Sequence, residues 1–451
     1  MNNRYRWKVQ LAGFAMLSLA AGMANALTPM EKLGKKIYFD TNLSNPDGQA
    51  CVSCHHPGLA FIDPDSNIPV SEGVIPGQFG GRNAPSAGYA MFAPPLYEAE
   101  PQFWIGGQFW DGRATGNPAL DAIPGTLPDS LGDPLADQAR GPFLNPVEMH
   151  NANIVEVLID IRDSSYAKRF KEVTGINLAA IPLDPGAEPG QEALDAYDAM
   201  ALAIAAFERS TLFATFSSKY DVYLQACLAS GGDKDECALG EGPVADAVAS
   251  SEFTALEKQG MNLFMGEAQC VACHVVDWTD PAAAGGLEVQ VPNWSPDGTV
   301  PPMFTDFTYD NLGVPVNPEI AALIGEPQDI DRGLGITVDD PSLDGLFKVM
   351  SLRNIGISGP YAHNGYFKSL EAITHFYNTA DVGAPGNPVQ FRCEDLGLAD
   401  ASAAQALAND CWPMIEVGDP NRDELGNLGL TPQEESAVAA FMRTLTDGFE
   451  M

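Results

Sequence analysis

The sequence predicts an all-α fold built as two similar helical domains joined by long loops, and three observations carry that prediction. Thr28–Tyr38 and Thr254–Phe264 match each other, and each is followed by a Cys-x-x-Cys-His run. Apolar residues elsewhere recur at helical spacing, as in Val438, Phe441, Met442 and Leu445. The composition holds 44 Gly and 35 Pro, which calls for long ordered loops between modest helices. The length suits two domains.

The elements follow in chain order. Arg4, Arg6 and Lys8 precede an apolar run from Val9 to Ala21, and Ala24-Asn25-Ala26 is a small-residue cleavage pattern. Residues 1–26 are therefore expected to be an export signal, with the mature chain starting near Leu27; an uncleaved anchor is the alternative. No other stretch is long and apolar enough to cross a bilayer. Residues 27–224 are expected to form the first domain and 250–451 the second. The matching segments both open with Thr-x-x-Glu, a capping box in which side chains satisfy the first free amides of a helix. Pro29 suits the first helical position. Thr431-Pro-Gln-Glu434 repeats the box and starts a closing helix. Between the halves, Gln191 to Leu224 reads as one long helix, with Leu194, Tyr197, Ala201, Ile204 and Ala205 spaced for burial.

The two motifs are Cys51-Val52-Ser53-Cys54-His55 and Cys270-Val271-Ala272-Cys273-His274. Two thiols one helical turn apart, with His next, fit covalent attachment of haem c, with His55 and His274 as the proximal iron ligands. A zinc site would have to pool ligands from both motifs, which their separate repeat contexts disfavour. Only His56, His150, His363 and His375 remain, and His56 adjoins His55 too closely to reach across the same haem. The other four cysteines fall in two close pairs, Cys227 with Cys237 and Cys393 with Cys411. An oxidising compartment would make them local disulfides, although sequence alone leaves crossed pairing open. The net charge of −36 disfavours nucleic acid and anionic membranes and would steer in a basic electron carrier. A merely solubilising acidic surface reads the same way.

Further blocks run through the chain: Gly81-Arg82-Asn83-Ala84-Pro85, Phe109-Trp110-Asp111-Gly112-Arg113, Gly141-Pro142, Asn145-Pro146-Val147-Glu148-Met149, Ala206-Phe207-Glu208-Arg209, Leu352-Arg353-Asn354-Ile355 and Pro360-Tyr361-Ala362-His363-Asn364-Gly365. With the two haem motifs, these make the chain resemble the bacterial di-haem cytochrome c peroxidases and their relative MauG. The resemblance covers nearly all of the mature sequence. It implies two cytochrome-c-like domains with haems facing a shared interface, and peroxide chemistry at the N-terminal one. Glu148 is then the general acid/base, Gln138 the group that positions peroxide, and Pro142 the residue packed over the open iron face. Trp110 matches the tryptophan that relays electrons between haems. Asn83, Ser358 and Pro360 match ligands of a structural calcium ion, and His363 matches a histidine at the haem interface. The segment from Trp110 to Gln138 is longer than usual.

Two departures from the family pattern bear on activity. Many classical members carry, just before Arg-Asn-Ala-Pro, a His that caps the peroxidatic iron until reduction; the loop from Glu72 to Gly80 has none. The N-terminal iron is thus expected to be open in the oxidised protein. The second departure is Tyr377, which stands where the classical enzymes bind the C-terminal iron with Met, and MauG has Tyr there. An anionic oxygen ligand favours ferric and higher states; His375 or a nearby Met is the alternative ligand. The resemblance implies a periplasmic enzyme, or one displayed on the cell surface, that reduces hydrogen peroxide with electrons from a small cytochrome or cupredoxin. A MauG-like enzyme modifying Trp or Tyr of a partner protein is the second reading, and a non-catalytic electron-transfer cytochrome the third. The family is often dimeric.

Overall fold

The computed structural model describes residues 27–279, 297–325, 329–382, 392–418, 420–421 and 423–448. The expected signal, 1–26, lies outside the described residues. The repeat seen in the sequence is a repeat in space. Glu31 N donates to Thr28 Oγ1 (3.2 Å) while the Glu31 carboxylate accepts from Thr28 N (2.6 Å), starting α1 (Pro29–Tyr38). Thr254 and Glu257 start α10 (Ala255–Met265) in the same way, at 3.3 and 2.7 Å.

Each of these helices crosses a partner so closely that only glycine fits at the contact. A Cβ on Gly34 would stand 1.8 Å from the Ala203 carbonyl oxygen and 2.9 Å from Phe207 Cβ. One on Gly260 would stand 1.8 Å from the Ala437 oxygen and 2.9 Å from Phe441 Cβ. Thus α6 (Gln191–Glu208) serves α1 as α15 (Pro432–Arg443) serves α10. The closing helix was legible in the second half because its capping box announced it; α6 begins after Gly190 with no side-chain cap.

In chain order the other helices are α2 (Cys51–Cys54), α3 (Pro134–Arg140), α4 (Ile154–Asp163), α5 (Ala167–Thr174), α7 (Lys219–Ala229), α8 (Lys234–Leu239), α9 (Gly242–Glu252), α11 (Pro318–Ile324), α12 (Leu334–Thr337), α13 (Leu370–Thr379) and α14 (Ala403–Asn409). No described helix is long and apolar enough to cross a membrane. One apolar core gathers Leu33, Tyr38, Leu158, Phe170, Phe207 and Phe213; a second gathers Tyr220, Leu224, Phe264, Phe376 and Phe441.

The single helix expected from Gln191 to Leu224 is two. It stops at Glu208, where Arg209 turns to grip Asp133 through both guanidinium nitrogens (2.7 and 2.5 Å). A new helix starts at Ser218, whose hydroxyl and Asp221 form a capping box. The chain thereby passes from the first core, which holds Phe216, to the second, which holds Tyr220. Tyr197, Ala201, Ile204 and Ala205 are buried as their spacing predicts, but Leu194 is 40% exposed in the first turns of the helix. Disulfides join Cys227 to Cys237 and Cys393 to Cys411, so the pairing is local.

The fold is helix-rich, with two small sheets that the all-α reading did not include. Strands β1 (Tyr97–Glu100) and β2 (Phe103–Ile105) form one antiparallel hairpin. Strands β3 (Tyr309–Asp310) and β4 (Phe347–Lys348) pair Tyr309 with Lys348 from segments far apart in sequence, a contact that no local period signals. Leu96, Tyr309, Leu334 and Leu343 make a third small core. The long segment after Trp110 docks there: Leu120 packs against it, and Gly125 lies so close that a Cβ would be 2.0 Å from the Ile336 oxygen.

Candidate active site

The geometry around the two Cys-x-x-Cys-His motifs is the same. His55 Nδ1 lies 3.2 Å from the Phe61 carbonyl oxygen, and His274 Nδ1 lies 2.9 Å from that of Phe304. Both phenylalanines sit at positive φ (60° and 55°), a conformation bulky residues rarely adopt, and it turns the carbonyl toward the ring. A ring that donates Nδ1–H to a carbonyl keeps its Nε2 lone pair for a metal. Burial lowers the pKa of both imidazoles, which favours the neutral, ligating form. All four motif cysteines are free and half-buried, and burial pushes their thiols above the usual range. Phe264, Leu352, Ile373, Val438 and Met442 wall a cavity beside Cys270 and His274. Free thiol pairs, tautomer-locked imidazoles and apolar walls fit haem c. Phe61 and Phe304 were missed from the sequence because nothing local marks a carbonyl donor.

Tyr377 is placed in that second cavity with Cys270 and His274. Burial, then the neighbouring Cys273 and Cys270, push its phenol pKa up, so an iron cation opposite would be needed to make it tyrosinate. His375 points elsewhere: its Nδ1 is 3.0 Å from Glu435, and its Nε2 faces Asp410 at 3.6 Å. Of the alternatives to Tyr377, only Met442 lines the same cavity.

Near the first motif, Pro142 opens a tight turn in which its oxygen accepts from Asn145 N and Met149 N. Asn145 Nδ2 donates to Glu148 Oε1 at 2.5 Å. Burial raises the Glu148 pKa, while Arg113 and the Asn145 bond oppose that rise. Its charge is felt at Cys51 and Cys54, which places the carboxylate on the haem side of the turn. Gln138 is half-buried on α3, and the Gly141 amide closes on its carbonyl just before Pro142. The His-free loop is an ordered hairpin: Gly73 N bonds Gln78 O, Val74 N bonds Glu148 O, and Gln49 Nε2 reaches both Glu72 O and Cys54 Sγ.

Between the motifs, Trp110 Nε1 donates to Asn83 O (2.8 Å), and Asn83 N donates to His363 O (2.7 Å). The His363 ring stacks on Phe347 at 3.5 Å, and its Nε2 is 2.9 Å from Glu416. Trp110 and His363 line one cavity together with His274 and Tyr377. Sequence reasoning gave no role to the charges that fix this region. Arg82 bridges Asp111 (2.6 Å) and Asp331 (2.6 and 2.7 Å), and buried Lys348 donates Nζ to the Gly107 oxygen while its N–H donates to Trp110 O. Arg82 and Asp111 lay inside the recognised blocks, so the signal was present; Lys348 had none. Asn83, Ser358 and Pro360 line a small cavity with Asp63 and Asp65, an oxygen-rich donor set.

Comparisons with known proteins agree with this geometry. The family described as di-haem cytochrome c peroxidase matches residues 28–227. The methylamine utilization protein MauG of Paracoccus denitrificans is 33% identical over 460 residues, covering 97% of this chain and 94% of that one. The cytochrome c551 peroxidase of Pseudomonas aeruginosa is 26% identical, covering 78% and 72%. Among solved structures, the diheme peroxidase BthA of Burkholderia thailandensis superposes with a TM-score of 0.63 at 25% identity, covering 94% and 87%. The motifs, their second-sphere carbonyls and these likenesses lead to one statement: this chain belongs to the di-haem cytochrome c peroxidase and MauG family of oxidoreductases, whose members carry two haems c.

Proposed function

We propose that this protein reduces hydrogen peroxide to two waters with two electrons from a small cytochrome or cupredoxin. The observation that carries the reading is Glu148, held by Asn145 and half-buried beside the first motif, with a His-free hairpin packed on its backbone. Cys51, Cys54 and His55 would hold one haem, and Cys270, Cys273 and His274 the other, with Tyr377 the second axial ligand there. The bound haems supply the redox chemistry that splits the O–O bond. Glu148 takes a proton from one peroxide oxygen and gives it to the other, so that water leaves; its raised pKa suits both tasks. Gln138 orients the leaving oxygen and Pro142 keeps that face dry. Trp110, hydrogen-bonded to the Asn83–His363 link, lies where electrons pass between the two sites. Each core encloses one haem, with the division near Ser217–Ser218. Asn83, Ser358 and Pro360 would bind one calcium ion, with Asp63 and Asp65 at hand. Export to the periplasm and dimer formation complete the reading.

A MauG-like action on Trp or Tyr of a partner protein is the second reading. Tyr377 in the cavity of the second motif favours it, as does the 33% identity to a MauG. The test of the acid/base assignment is Glu148→Gln. Loss of the proton carrier should slow peroxide cleavage by about 10²–10⁴-fold with haem content unchanged. Full activity in that variant would place the acid/base group elsewhere.

A further inference from the structure

The chain carries a net charge of −36, yet one groove on its surface is basic. The groove runs between α1 and the corner joining α4 to α5, and it is lined by Lys32, Lys35, Lys36, Phe39, Tyr166 and Arg169. The three lysines are exposed and Arg169 is half-buried; among the described residues none of the four has an ion-pair partner. Two carboxylates share the groove, and both are engaged. Asp40 accepts from Tyr166 OH and from Asn42 Nδ2, each at 2.6 Å, and Asp163 pairs with Arg162 at 2.8 Å.

The fold does not require this basicity, as the internal repeat shows. In α10 the position of Lys32 is Lys258, which is tied to Asp246, and those of Lys35 and Lys36 are Met261 and Asn262. The same comparison singles out a path inward. Phe39 is 39% exposed at the groove, and its ring lies 5.5 Å from that of Tyr38. The Tyr38 hydroxyl donates to the His55 carbonyl at 3.1 Å. The matching residue in α10 is Phe264, which has no hydroxyl to give.

We propose that this groove docks an acidic redox protein that passes electrons to the first haem site through Phe39, Tyr38 and His55. The proposal rests on the peroxidase reading. Each docking oxidises one partner molecule by one electron; two dockings, with two protons, convert one peroxide into two waters. The route enters beside the peroxide-reacting site and does not use Trp110. A membrane surface would also meet cations here, but an electron path behind them serves only a redox partner.

The rest of the molecule leaves a signature in salt. At low ionic strength the screening length is about 30 Å, so the whole negative charge repels an acidic partner. At about 0.1 M it falls to about 10 Å, and contact with the four cations dominates. Affinity for an acidic partner should therefore rise and then fall as salt increases. A basic partner should weaken throughout.

The test uses the holoprotein with reduced plastocyanin, an acidic cupredoxin, and with mitochondrial cytochrome c, a basic carrier. Binding is titrated at about 0.1 M salt for the native chain and for a variant combining Lys32→Glu, Lys35→Glu and Lys36→Glu. The triple variant should bind plastocyanin at least about tenfold more weakly and cytochrome c no less tightly. Peroxide turnover with a small-molecule reductant should be unchanged in it. Arg169→Glu, on a different helix, should weaken plastocyanin as well. Equal binding of plastocyanin by native and variant proteins, or by neither, would overturn the proposal. Absence of small-reductant turnover in the native protein would instead overturn the peroxidase reading, leaving the binding result to judge the groove.

Discussion

Glu148 and Tyr377 show how far a residue's role follows from its surroundings. Each was named from a short motif, and each stands where that naming needs it: Glu148 beside the first cysteine pair, Tyr377 in the cavity of the second. Neither position was visible in the sequence itself, which is silent on burial and on the partner Asn145. His375 and Tyr377 could not be separated by spacing, and the carboxylates of Glu435 and Asp410 separate them by engaging His375. Replacing an anionic oxygen ligand with a thioether favours the reduced iron. Tyr377→Met should therefore raise the C-terminal haem potential by on the order of 0.1 V or more, within the roughly 0.8 V that axial ligands span. A redox titration that shows no change would remove Tyr377 from the ligand set.

At the scale of elements, the capping boxes made helices legible and their absence hid one. Thr28, Thr254 and Thr431 each announce a helix start, and the structure has a helix at each. The break between α6 and α7 was lost because Thr211 to Ser217 continues an apolar-rich pattern, and the tie that ends α6, Arg209 to Asp133, is a long-range ion pair. The strands β3 and β4 were lost for the same reason. Gly34 and Gly260 were seen to match, but the sequence could not say why. Their role is to let helices touch backbone to backbone, since a Cβ would meet a carbonyl at 1.8 Å in each case. Gly260→Ala should force the α10–α15 crossing apart, lowering stability to chemical denaturation by about 1–3 kcal/mol, the usual cost of overpacking. Gly34→Ala should act likewise on α1 and α6. An unchanged denaturation midpoint in both variants would show that these crossings relax freely.

Across the whole molecule, the two cores are held together by charge buried among aromatic rings. Arg353 is fully buried, binds both Asp221 oxygens at 2.8 Å, and lies between Tyr89 and Phe216 of the first core and Tyr220 and Phe304 of the second. Asp447, near the end of the described chain, accepts from Tyr89 OH and Asn354 Nδ2. The Leu352-Arg353-Asn354-Ile355 block is thus part of the joint between cores, a role its sequence alone did not reveal. The joint keeps Trp110, Asn83 and His363 in register between the two motifs, as passage of electrons between haems requires. The central claim for the molecule is that its first haem site, with no histidine in the hairpin from Glu72 to Gly80, is ready for peroxide in the fully oxidised state. The direct measurement adds peroxide and a reduced small cytochrome to the oxidised protein, with no prior reduction, and follows donor oxidation with the haem spectrum. Immediate sustained turnover is the predicted result; turnover that begins only after the protein has been reduced would contradict the claim.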